Sequence, residues 1–157
     1  MRKRQMSLTP PNAPTSGQAC LDLEHTALVE VTSEDNGYPI ESAFQETENQ
    51  GWRAADPGTQ TIRLIFDEPQ KLKRIWLVFE DNKNIRAQEF VLRWSSDNGK
   101  SFREIVRQQW NFSPPNSVRE KEDYTVELSG VTVLELIIVP DKSGSAARAS
   151  LAELRLA

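Results

Sequence analysis

The stretch FVLRWSSDNGKSF, Phe90 to Phe102, decides how the chain is read. In its first half Phe90, Leu92 and Trp94 fall on one side, and Val91 and Arg93 on the other. Such alternation marks a half-buried strand. In its second half Phe102, followed by Ile105 and Val106, opens another apolar run. Between the runs, Asn98 and Gly99 tolerate the positive φ of a tight reversal, while Ser96 and Asp97 can bond their own backbone. The stretch therefore predicts a β-hairpin, with Asp97-Asn98-Gly99 as its tip rather than a binding loop.

The same texture extends in both directions. Residues 27–32 predict a strand, ended by the turn residues Ser33 to Gly37. Residues 40–50 are polar and ambiguous. Residues 61–66 alternate cleanly, and Asp67-Glu68-Pro69-Gln70 predicts a turn. Residues 72–79 are almost continuously apolar at their end, which predicts a strand covered on both faces. The hairpin strands are expected over 88–95 and 102–110. Two more follow over 124–128 and 131–139, split by Ser129-Gly130. The final segment, 145–157, has helix-forming composition, yet Ala152, Leu154 and Leu156 alternate with Glu153 and Arg155. A closing strand over 151–156 is the reading adopted. About eight short strands with frequent turn signals predict an all-β, antiparallel β-sandwich. Residues 1–19, with Pro10, Pro11, Pro14 and Gly17, predict a flexible Pro-rich tail ahead of one domain over 20–157.

Composition narrows the function. The 157 residues suffice for one domain with a proper core. A net charge of −4 supplies no global positive field for nucleic acid. The basic cluster Arg2-Lys3-Arg4 is followed by polar, Pro-rich sequence and so is not read as a secretory signal. No apolar run approaches the roughly 20 residues of a membrane span. Cys20 is the single cysteine, which excludes internal disulfides and suggests a reducing, cytoplasmic home.

Catalytic constellations are missing from the sequence: there is no Gly-rich phosphate loop, HExxH or GxSxG, and His25 stands alone. The acidic residues mostly alternate with Lys and Arg, as on a solvated face. The chain is accordingly read as a binding module and not an enzyme. Loops at one end of a sandwich are the natural place for binding groups. Sugar recognition uses aromatic faces beside planar amides and guanidinium groups. Those residue types select Trp52, Arg53, Asn84, Arg86, Trp110 and Asn111 as candidate ligand contacts. Asn36, Tyr38, Arg119, Asp141 and Arg148 lie in neighbouring loops. Residues such as Trp52 and Trp110 more often finish a core than stack on a ligand, and arginines such as Arg86 and Arg119 more often form surface ion pairs.

Five fragments occur in order: VTSEDNGYPIESAF (31–44), GWRA (51–54), TIRLIFDEPQKLKRIWL (61–77), the opening hairpin and ASLAELRL (149–156). Together they resemble the discoidin family, also called coagulation-factor type C domains, of the galactose-binding-like superfamily. The resemblance implies a jelly-roll β-sandwich whose business is binding, commonly of carbohydrate. It also implies a structural calcium, held here by Glu46, Thr47 and Glu153, with no other cofactor. Gln45-Glu46 stands where the family has Asp-Gly, which removes a short carboxylate and a permissive turn. Intracellular relatives serve as protein-interaction modules, so a protein partner is the alternative to carbohydrate.

Overall fold

The computed structural model describes residues 20–45 and 51–157. In chain order it contains one helical turn, α1 (Leu23–Thr26), then β1 (Ala27–Val31), a 3-10 turn (Ile40–Phe44) and β2 (Trp52–Arg53). There follow β3 (Gln60–Glu80), β4 (Arg86–Ser95), β5 (Arg103–Phe112), β6 (Arg119–Val139), β7 (Ser150–Leu151) and β8 (Glu153–Leu156). All pairings are antiparallel. The expected tail over 1–19 lies outside the described residues.

Two bent strands organise everything else. β3 and β6 pair along their whole length, from Gln60 opposite Ile138 to Glu80 opposite Arg119. Register shifts fall between Ile65 and Arg74 on β3, and Gly130 on β6 sits at φ +72. Irregularity of this kind bends a ribbon and raises its twist. The main sheet runs β1-β3-β6-β4-β5, with β8 on β3. One layer consists of β1, the first half of β3, the second half of β6, β4 and β5. The other consists of β8, the second half of β3 and the first half of β6. Phe79 and Phe90 meet across the gap, ring centroids 5.1 Å apart.

Two expected turns are therefore not turns. Asp67 to Gln70 does not reverse the chain; it is the bulged elbow of β3, where Pro69 costs no ladder bond because pairing is already broken. Ser129-Gly130 likewise bends one strand and does not separate two. The hairpin at Asp97-Asn98-Gly99 is as expected, with Asn98 at φ +61 and Gly99 at φ +87. Asp97 accepts from Ser95, Ser101 and the backbone of Ser101, which holds its carboxyl well below the usual range. Residues 151–156 form strand, because Leu154 and Leu156 are needed to close the core against Leu77 and Ile75.

The inward residues of both layers make one continuous core, including Ile62, Leu64, Leu72, Phe79, Phe90, Leu92, Leu134 and Ile138. β2 and β7 form a small separate ribbon, Trp52 opposite Leu151. Gly51 permits it: at φ +75, a Cβ there would stand 2.3 Å from the Leu151 carbonyl oxygen. Gly130 has open space around its missing Cβ. Gly51→Ala is thus expected to cost about 2–4 kcal/mol, combining left-handed strain with a backbone clash, and Gly130→Ala about 1 kcal/mol from strain alone. Urea denaturation of the two variants checks this; equal losses would contradict the close approach at Gly51.

Candidate functional site

The register places one set of loops at the end of the sandwich away from the elbows. These are the segments after β1 (32–38), before β3 (54–59), between β3 and β4 (81–85), after β5 (113–118) and after β6 (140–149). Backbone bonds tie them together. Asp81 N donates to Val118 O at 2.9 Å, Lys142 N to Ala87 O at 2.7 Å, and Ala54 N to Ala149 O at 2.9 Å. The sequence-selected residues gather at this end, but in two groups at opposite edges with 140–149 between them.

The first group stands beside β1. Asp35 N donates to Arg53 O (2.9 Å) and Arg53 N donates to Tyr38 O (3.2 Å). These bonds set the Arg53 guanidinium over the Tyr38 ring, 4.1 Å from its centroid. Arg148 approaches Asp35 at 3.7 Å. Arg53 and Tyr38 are both half-buried. The patch therefore presents one aromatic, two guanidinium groups and a carboxylate on a backbone frame. Beneath it Trp52 is 0% exposed and donates its indole N–H to Ser33 O (3.1 Å). Trp52 is a core residue and its ring cannot stack on a ligand.

The second group surrounds Asp81. Its Oδ1 accepts from the backbone of Lys83 and Asn84, and its Oδ2 accepts from Arg86 Nε at 2.6 Å. Despite burial, those donors hold the Asp81 carboxyl below its ordinary range. Arg86 is 4% exposed, stacks on Phe112 at 4.5 Å, and donates to Gln88 Oε1 and Pro140 O. It is a buried clamp for three loops, so the expectation of a ligand contact is corrected here too. Asn84 and Asn111 are exposed. Trp110 is half-buried on the inward side of β5, paired with Gln88, and its indole N–H meets no acceptor.

Of the expected calcium ligands, Glu46 and Thr47 lie outside the described residues. Glu153 brings a carboxylate of suitable chemistry, but its Oε1 accepts from Arg155 Nε at 2.8 Å. Among the described residues no three His, Cys, Asp or Glu side chains cluster to hold a metal ion.

One feature escaped the sequence reading. β6 begins at Arg119, so Glu120, Glu122 and Tyr124 share the inward side that Val126 and Leu128 continue. Strict alternation from 119 onward is the signal that could have found it, whereas the general mixing of acidic residues with Lys and Arg points to a solvated face. Glu120 is 0% exposed, and its Oε1 accepts from Gln88 Nε2 at 3.1 Å. Burial, then the neighbouring Glu122 carboxylate, push its carboxyl up to about 9. Glu120 thus keeps its proton at neutral pH. Tyr124 is pushed up by burial and by the same Glu122. Raised carboxyl groups beside a second carboxylate can serve acid–base chemistry, but this one is sealed from any substrate.

The folded state holds a proton on Glu120 that the unfolded chain releases above its ordinary value of 4.5. The Glu120 contribution to stability is therefore lost progressively as pH rises from about 4.5 towards about 9. Glu120→Gln should match the parent near pH 5 and exceed it by roughly 1–3 kcal/mol at pH 9. Urea melts at both pH values decide; a difference that does not change with pH would contradict a buried proton.

Residues 28–154 match the model of the F5/8 type C domain. The chain belongs to that family. No curated protein matches it. Among solved structures, it is similar to a pectin-binding carbohydrate-binding module (TM-score 0.61, 16% identity, covering 84% of this chain and 90% of that one). It is also similar to a family 32 carbohydrate-binding module from a family 31 glycoside hydrolase of Clostridium perfringens (0.60, 20%, 87% and 93%). A Clostridium perfringens module in complex with GalNAc-β-1,3-galactose is alike to the same degree (0.61, 20%, 87% and 98%). These likenesses establish that this F5/8 type C domain has the β-sandwich fold expected from its strand pattern and from the family resemblance.

Proposed function

We propose that this F5/8 type C domain is a non-catalytic carbohydrate-binding module that works through the loop end of the sandwich. The observation that carries the reading is the Tyr38–Arg53 stack beside the Asp35–Arg148 pair. An aromatic edge, fixed N–H donors and a carboxylate acceptor within one patch suit vicinal hydroxyls and the C–H faces of a sugar ring. Asn84 and Asn111 are the exposed amides at the opposite edge that an extended glycan would also meet. The similar modules named above that bind pectin or GalNAc-β-1,3-galactose support the class of ligand. The sealed position of Glu120 supports the absence of catalysis.

Few contacts must offset the cost of immobilising a sugar, so single-site affinity should fall between about millimolar and tens of micromolar. Arg53→Ala and Tyr38→Ala should each weaken binding about tenfold or more in an NMR titration with a glycan-array hit, leaving Tm within about 2 °C. A stable co-purifying protein with no response to any sugar would favour the protein-interaction alternative and end this reading. Calcium belongs to the proposal only as a structural ion on Glu46, Thr47 and Glu153. A calcium-dependent rise in Tm that Glu153→Gln abolishes would establish it; identical melts in calcium and in chelator would remove it.

A further inference from the structure

The outward face of the layer containing β1, β4 and β5 carries two cavities that belong to neither loop group. The larger, about 310 Å³, has a floor of Val91, Ile137 and Val139. The smaller, about 180 Å³, is lined by Ile65, Val133 and Asn98 among others. Phe102 borders both and so divides them. A volume near 310 Å³ lies at the lower bound of small-molecule sites.

The charges on this face decide what could lie there. Glu135 is 0% exposed on the outward side of β6, gripped by Arg63 Nε at 2.6 Å and by Arg93 at 2.7 Å. Arg63 also pairs with Glu30 on β1 (3.3 Å), and Arg93 lies over the Phe102 ring at 4.2 Å. Across the larger cavity, Arg107 bridges Glu89 and Glu104, and Lys142 completes Glu89 at 3.0 Å. Every charged residue lining either cavity thus has an ion-pair partner, four carboxylates against four cations in all. An anionic or cationic ligand would have to break a pair and leave its partner uncompensated. A neutral ligand that both donates and accepts hydrogen bonds need not. Each guanidinium carries more N–H donors than its ion pairs use, and the buried Glu135 holds two of them in place.

We infer that this sheet face is a second glycan-binding surface, taking a neutral oligosaccharide across the Phe102 divide with its C–H faces on Val91, Ile137 and Val139. The ligand class rests on the proposed carbohydrate function; the location is independent of the loop end.

The probe is a neutral β-linked galacto-oligosaccharide of four units, titrated into ¹⁵N-labelled protein, with galactose and an acidic oligouronate as comparators. The tetrasaccharide should shift the backbone amides of Val91, Arg107, Ile137 and Val139. Arg107→Ala should weaken those shifts at least threefold, whereas Arg53→Ala should leave them unchanged. Shifts confined to the loop end would overturn the second surface and leave the proposed function standing. Preference of the face for the oligouronate would overturn the neutral ligand class. A dimer in size-exclusion chromatography, with face amides that move on dilution and not with sugar, would assign the face to a second copy and overturn the inference. No shift at either place with any of the three sugars would remove the second surface and count against the loop-end proposal together.

Discussion

The pairing of β3 with β6 is the constraint on which the rest of the molecule depends. Each strand is 21 residues long and serves both layers, so a single continuous ladder supplies the middle of the whole sandwich. A straight ribbon of that length would expose one apolar face of each half. Bending at the bulged elbow of β3 and at Gly130 turns the halves towards each other and buries both. The other strands of the main sheet add to edges this ribbon creates: β1 and β8 on β3, β4 and then β5 on β6. The same bend sends the 81–85 and 113–118 connections to the end where β1 and β6 also finish.

A polar chain then couples that loop end to the interior. Asp81 holds Arg86, Arg86 holds Gln88, and Gln88 holds Glu120. Buried polar groups are tolerated where they find partners, and at the inner end of this chain burial and the neighbouring Glu122 carboxylate keep Glu120 protonated. Arg86 fixes three loops at once through Asp81, Pro140 and Phe112. The surface groups of this end therefore stand on a frame whose geometry is set from below. Around β1, backbone bonds among Asp35, Tyr38 and Arg53 do the equivalent work. Pre-set geometry of this kind matters most for a weak ligand, because the loops need little further ordering on binding.

Neutrality is a second theme. The chain has a net charge of −4, yet the outward face of the larger layer balances its charges pair by pair, with Glu135 buried between Arg63 and Arg93. A surface so arranged projects no strong field and discriminates by hydrogen-bond geometry and shape. That is the kind of recognition the proposed neutral oligosaccharide would need.

The sequence by itself determined the strand class, the hairpin at Asp97-Asn98-Gly99, the apolar faces and the family. Each of these is written in local alternation or in the positive-φ demands of particular turn residues. It also marked the loops that carry the groups of the proposed loop-end site. Only the tertiary structure decided which candidates reach solvent. Trp52 and Arg86 carry the chemistry of sugar contacts, but one fills the core and the other clamps loops, because burial is set by what lies across the sandwich and not by residue type. Tertiary pairing also made single strands of segments that Pro69 and Gly130 seemed to break, since a bulge and a turn have similar local sequence and differ in where the partner strand runs. Glu120 shows the same limit from the other side: its immediate neighbours in the chain, Arg119 and Lys121, are charged and exposed, and its burial arises from tertiary packing, with Gln88 of β4 bonded to it.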